Sequence, residues 1–147
     1  MAAGDIVIFD EAFAKMLDGD WASTDHFYCA ILDNTTTPAV DDTTPTLADY
    51  TEVGAAGTYV AGGTDLGTLA DLVTQTAGAL KIDSATNPTW AADGSNDVDA
   101  YWALIYNYTD AGNDALCFVD LGGPVDMSAG ALTITWDASG IITGTKS

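Results

Sequence analysis

The chain carries one histidine, His26, so nucleophilic catalysis would need it as the base beside Ser23, Ser84, Ser95, Ser128, Ser139 or a cysteine. No nucleophile-elbow pattern surrounds any of these serines. Paired aspartates run glycoside hydrolysis in other proteins, but among so many aspartates some pair always has a suitable spacing, and the observation selects nothing. No glycine loop of the dinucleotide or triphosphate type opens a helix. The inventory predicts neither an enzyme nor a cofactor.

Hard cations are the other chemistry to weigh, because carboxylates cluster at Asp18-Gly19-Asp20, at Asp41-Asp42 and from Asp93 to Asp99. In the last cluster Asp93, Ser95 and Asp97 alternate as in a calcium loop, yet no glycine follows at the required place and no glutamate closes it. We read these stretches as solvated turns and assign no metal. Cys29 and Cys117 stand inside apolar runs, where free cysteine behaves as a small buried hydrophobe. A disulfide between them would require neighbouring strands at a particular Cα spacing. Two cysteines and one histidine do not complete a structural zinc set.

Composition narrows the partners. Of 147 residues, 22 are acidic and three are basic, and Lys15, Lys81 and Lys146 account for all three, so there is no arginine. A net charge of −19 argues against nucleic acids, nucleotides and anionic membranes, which need cations to neutralise phosphate. Cationic or neutral surfaces are the expected partners. With 48% hydrophobic residues against 17% charged, the chain has the means to fold. No apolar run approaches the ~20 residues of a membrane-spanning helix, and no basic segment leading into an apolar core marks a secretory signal.

The elements that must position these residues read as strands. Thr, Val, Ile, Tyr and Trp recur in short runs punctuated by Gly, Asp and Asn, which predicts an all-β fold: an antiparallel, jelly-roll-like β-sandwich in one domain over residues 1–147. The one expected helix runs from Asp10 to Asp18, capped by Asp10 and stopped by Gly19, with Phe9, Phe13, Met16 and Leu17 sharing the face that it lays on the sheet or on a neighbouring subunit. Strands are expected at 26–32, 71–76, 79–83, 87–90, 100–108, 115–121, 131–136 and 141–142. Thr35 to Pro45 reads as a solvated loop, Thr46 as the cap of one helical turn to Tyr50, Gly62-Gly63 as a bulge or turn, Ala77-Gly78 as a hairpin turn, and Gly122-Gly123-Pro124 as a strand terminator.

A set of short motifs adds a resemblance. Phe9-Asp10-Glu11-Ala12-Phe13-Ala14-Lys15-Met16-Leu17-Asp18-Gly19-Asp20, Ala30-Ile31-Leu32, Gly57-Thr58-Tyr59-Val60-Ala61-Gly62-Gly63, Thr89-Trp90, Tyr106-Asn107-Tyr108-Thr109, Phe118-Val119-Asp120-Leu121-Gly122-Gly123 and Ile134-Thr135-Trp136-Asp137-Ala138-Ser139-Gly140-Ile141 follow one another along nearly the whole chain. Taken in that order, they resemble a family of small structural proteins of tailed bacteriophages. The resemblance implies a virion component on the outer capsid surface: a capsid decoration, or cement, protein whose partner is the major capsid protein. It also leaves a tail or head fibre component that binds host glycans through Trp21, Trp90, Trp102, Trp136 and exposed tyrosines. A cement protein gains avidity from linked contacts, so a homo-oligomer, with a trimer at three-fold positions, is expected. Residues 1–20 form the expected docking arm, with Ile6, Ile8, Phe9, Phe13, Met16 and Leu17 contacting the capsid or a neighbouring subunit.

Overall fold

The run richest in aliphatic and aromatic residues, Ala100–Asn107, becomes the centre of the molecule, because side chains alternating to both faces of a strand are here apolar on both. In the computed structural model, which describes residues 2–76 and 78–145, thirteen elements follow one another. These are β1 (Ile6–Ile8), α1 (Ala12–Asp18), β2 (His26–Leu32), a 3₁₀ turn (Leu47–Asp49), β3 (Thr64–Thr68), α2 (Leu69–Leu72), β4 (Val73–Thr76), β5 (Ala79–Ile82), β6 (Thr89–Trp90), β7 (Ala100–Asn107), β8 (Ala115–Val125), β9 (Leu132–Thr133) and β10 (Ile142–Thr145).

All pairings are antiparallel. The main sheet has the order β1-β8-β7-β2-β3, a second sheet has β10-β5-β4, and β6 pairs with β9. The chain is therefore all-β with a short N-terminal helix, as its composition predicts. Sheets of five, three and two strands do not reproduce the paired four-stranded sheets of a jelly roll.

Register explains the core. Cys29, Ile105 and Cys117 lie side by side across β2, β7 and β8, and Ala30, Leu104 and Phe118 form the next row, facing the other way. Both rows are fully buried. Phe9 closes the second face against Phe118, ring centroids 5.1 Å apart, and Trp21 meets Phe27 edge-on at 5.2 Å. Because β7 separates the two cysteines, they stand about two strand spacings apart, ~9.6 Å, beyond the reach of a disulfide. Both are free and buried.

Several sequence expectations require correction. The helix starts at Ala12, not Asp10, because the ladder of β1 continues to Phe9, whose N–H bonds the Leu116 carbonyl, while the Asp10 N–H bonds the Val40 carbonyl. Its cap residue is Glu11, with no side-chain cap bond. Ala12 and Met16 turn to the core and Phe13 and Leu17 turn outward, the reverse of the expected Phe and Leu face. The strand expected at 71–76 divides at Val73: Thr68 and Asp71 form a capping box that makes residues 69–72 helical. Gly122, Gly123 and Pro124 do not end β8. Both glycines take positive φ, +87° and +99°, and the bulged strand runs on until Val125 pairs with Ala100. β3 has only one aliphatic residue, Leu66, and its sequence announced no strand. The alternating stretch 131–136 pairs only at Leu132–Thr133, and the final strand begins at Ile142. The Thr46 cap, the β2 boundaries and the two-residue connection from β4 to β5 match, although Ala77 lies outside the described residues.

Loops are tied to one another by one buried amide. Asn96 Oδ1 accepts from Thr58 N at 2.8 Å and Tyr59 N at 3.3 Å, and Nδ2 donates to Thr58 Oγ1 (2.9 Å), Ala91 O (2.9 Å) and Met127 O (3.2 Å). Removing it leaves buried backbone groups without partners. We expect Asn96→Ala to cost about 3 kcal/mol in urea denaturation, against less than about 0.5 kcal/mol for the exposed Ser95→Ala.

Candidate docking surface

The six residues of the expected docking arm divide three ways. Phe9 is fully buried and belongs to the core, held between Phe118 and Tyr50, so it is unavailable to a partner. Ile6, Ile8 and Met16 are half-buried; the first two lie on β1, an edge strand, where Ile6 opposes Val119 and Ile8 opposes Cys117. Phe13 and Leu17 are exposed, at 47% and 85%. Four residues apart on α1, they share one side of the helix, and the exposed Val40 follows a loop pinned to the helix start by the Asp10 to Val40 bond. The apolar N-terminus thus serves as core plug, sheet edge and outward pair.

The charge around this pair is acidic. Lys15 is held by Asp114 at 2.8 Å and lies 3.9 Å from Asp20, and the hydrogen bond it donates to Asp114 raises its pKa above the usual lysine value. Asp10, Asp18 and Asp20 are exposed beside it. A bound, compensated lysine leaves the surface of the arm negative, suited to a basic partner.

Elsewhere the acids have structural employment. Asp33, Asp65, Asp93, Asp110, Asp120, Asp126 and Asp137 each accept a hydrogen bond from the backbone N–H two residues on. At Asp126 and Asp137 they favour the carboxylate and hold it below the usual aspartate range, with the Ser128 and Ser139 contacts as the main causes. Among the described residues no group of three or more His, Cys, Asp or Glu side chains is arranged to hold a metal ion. His26 Nδ1 lies 2.9 and 3.2 Å from the two oxygens of Asp65, half-exposed, and no described serine hydroxyl bonds it.

Of the tryptophans, Trp21 and Trp90 are buried, and Trp102 and Trp136 are half-buried. Two surfaces lie outside the sequence reading. Tyr28 and Tyr108 stack at 4.1 Å with an 18° interplanar angle, and Tyr108 is 52% exposed. A groove of about 320 Å³ runs between Ile6, Val119, Leu121 and Val125 on one side and the segment from Leu132 to Asp137 on the other. Neither had a usable sequence signal, since each joins residues more than 75 positions apart.

Among the described residues no helix is long and apolar enough to cross a membrane. Compared with protein-family models, curated proteins and solved structures, the chain gives no match.

Proposed function

We propose that the chain is a virion structural protein, a decoration or cement protein that binds the outer surface of a bacteriophage head through its partner, the major capsid protein, and stabilises the shell. The observation that carries this reading is the exposed Phe13 and Leu17 pair on a short helix within a strongly acidic surface. An apolar anchor surrounded by like charge is the chemistry of a docking face that is steered by electrostatics and held by burial. Acidity suits basic patches on a shell and repels packaged DNA. The sequence resemblance points to the same role. A trimer at three-fold positions would multiply weak contacts into avidity.

The test is co-sedimentation with phage heads stripped of minor proteins, together with native mass. The wild-type protein should rebind stoichiometrically as a stable oligomer. The double change Phe13→Asp and Leu17→Asp should weaken binding at least tenfold at a stability cost of only about 1 kcal/mol, mostly helix propensity, since both side chains are exposed. Undiminished rebinding by that variant would defeat the reading.

One observation favours a second reading, a fibre component that binds host glycans. The Tyr28 and Tyr108 stack offers an exposed aromatic face of the kind sugars pack on. Glycan-array binding lost in Tyr108→Ala, with no head binding, would move the assignment there.

A further inference from the structure

Ile6 belongs both to the groove and to β1, the terminal strand of the main sheet. Phe9 N–H bonds the Leu116 carbonyl, and Asp120 N–H bonds the Asp5 carbonyl. In this antiparallel register the Asp5 carbonyl, Val7 and the Phe9 N–H face β8, and Ile6 and Ile8 turn their peptide groups away from it. β1 is the terminal strand of its sheet, so among the described residues no strand pairs with that side. The side chain of Ile6, with its opposed neighbour Val119, forms a wall of the groove, and Ile134 and Trp136 form the facing wall. That wall is fixed in place. Trp136 Nε1 donates to the Thr86 carbonyl at 3.0 Å, Trp136 N to Asn87 Oδ1 at 3.3 Å, and Ile134 N to the Pro88 carbonyl at 3.0 Å. The groove is therefore pre-organised, which lowers the ordering cost of binding.

Charge selects the occupant. Asp120 and Asp137 line the groove and exposed Asp5 flanks Ile6. A nearby cation, Lys81, is held by Asp83 at 2.7 Å and the Ala138 carbonyl at 2.9 Å. A second copy of a chain with net charge −19 would bring like charge to this rim. We propose that the surface accepts an extended segment of a basic partner protein, added as a strand to β1, with alternate aliphatic side chains in the groove and flanking Lys or Arg on Asp120 and Asp137. Such strand addition takes affinity from main-chain bonds and specificity from pockets for every second side chain. This inference does not rest on the decoration reading, because the groove's chemistry is the same whatever protein carries the segment.

The experiment is titration of the intact, isotope-labelled protein with the peptide acetyl-Lys-Thr-Val-Thr-Val-Thr-Lys-amide, followed by amide NMR. The expected result is saturable shifts of the Ile6 and Ile8 amides and of the Trp136 indole. Two control peptides leave the protein unchanged: one with both valines N-methylated, which cannot form the ladder, and one with Glu replacing Lys. Each should bind at least tenfold more weakly. Absent shifts, shifts scattered over the acidic surface, or equal binding of the N-methylated peptide would overturn the proposal. So would a stable oligomer in which the Ile6 and Ile8 amides are already protected from exchange and the peptide does not bind. The Phe13 and Leu17 changes alter no groove residue, so failure here and failure of head binding are separately visible.

Discussion

Gly63→Ala should destabilise the protein by about 3 kcal/mol or more and lower the melting temperature by about 10 °C. Gly63 has φ +78°, and an added Cβ would collide with the Cys29 carbonyl oxygen and stand 2.7 Å from the Ala30 Cα. Those atoms are the backbone of β2, which is buried and paired with β7, so they cannot move aside. The glycine's own loop is held as firmly. Gly62 N donates to Glu52 Oε2 at 2.7 Å, the Tyr106 hydroxyl donates to the Gly62 carbonyl at 2.8 Å, and the Tyr59 hydroxyl donates to the same Glu52 oxygen at 2.7 Å. Left-handed backbone strain and overpacking therefore add. Gly4 is the matched control: its φ is +88° with nothing within 4 Å of a built Cβ, so Gly4→Ala carries the backbone term alone, about 1 kcal/mol. Thermal and urea denaturation of the two variants would separate the terms. Equal losses would show that the approach to β2 relaxes.

Alkaline pH should unfold the protein well before it affects an ordinary fold of this size. Burial raises the Cys29 thiol from 9.0 to about 12 and pushes Cys117 up as well. Tyr50, Tyr59 and Tyr106 are also raised, first by burial; hydrogen bonds to Asp42 and Glu52 add to the effect at Tyr50 and Tyr59. The native state thus keeps protons that the unfolded chain releases above about pH 9, and stability must fall as pH rises. It is fully present below pH 9 and is lost through the window from pH 9 to 12. At pH 11, two units above the unfolded value, Cys29 alone removes roughly 3 kcal/mol. A second buried thiol adds a comparable amount, against a total stability of roughly 5–15 kcal/mol. Melting temperatures at pH 8 and pH 11 test this, and Cys29→Ala with Cys117→Ala should flatten the dependence although it lowers stability at pH 8. A melting temperature unchanged between those pH values would refute the assignment. In the native state at pH 8 both thiols should resist a thiol reagent and react on denaturation.

Both predictions depend on features with different legibility. The burial of the cysteines was readable, since Phe27-Tyr28-Cys29-Ala30-Ile31-Leu32 and Leu116-Cys117-Phe118-Val119 are apolar on both faces and belong inside a sheet. The approach of Gly63 to Cys29 was not. Gly62-Gly63 signals a turn in any protein, and only the pairing of β3 with β2 brings that turn against a strand 34 positions earlier.

Local rules with strong physics behind them determined β2, most of β7, the Thr46 cap, the Gly19 stop and the turns made by aspartate, because each depends on a few neighbours or on a period-two pattern. Net charge of −19 without arginine belongs to this group, because it is additive and independent of fold. Tertiary structure decided the rest. Phe9, Phe13 and Leu17 look alike in sequence, yet β1 docking on β8 buries the first and rotates the other two into water. β3, poor in apolar residues, is a strand because the edge of β2 offers it hydrogen bonds, and Gly122-Gly123-Pro124 continues β8 because Val125 finds Ala100. The groove exists only where Ile6, Val119 and Trp136 meet. Which side of an amphipathic segment faces a partner is set by long-range pairing, whose free energy local sequence does not contain.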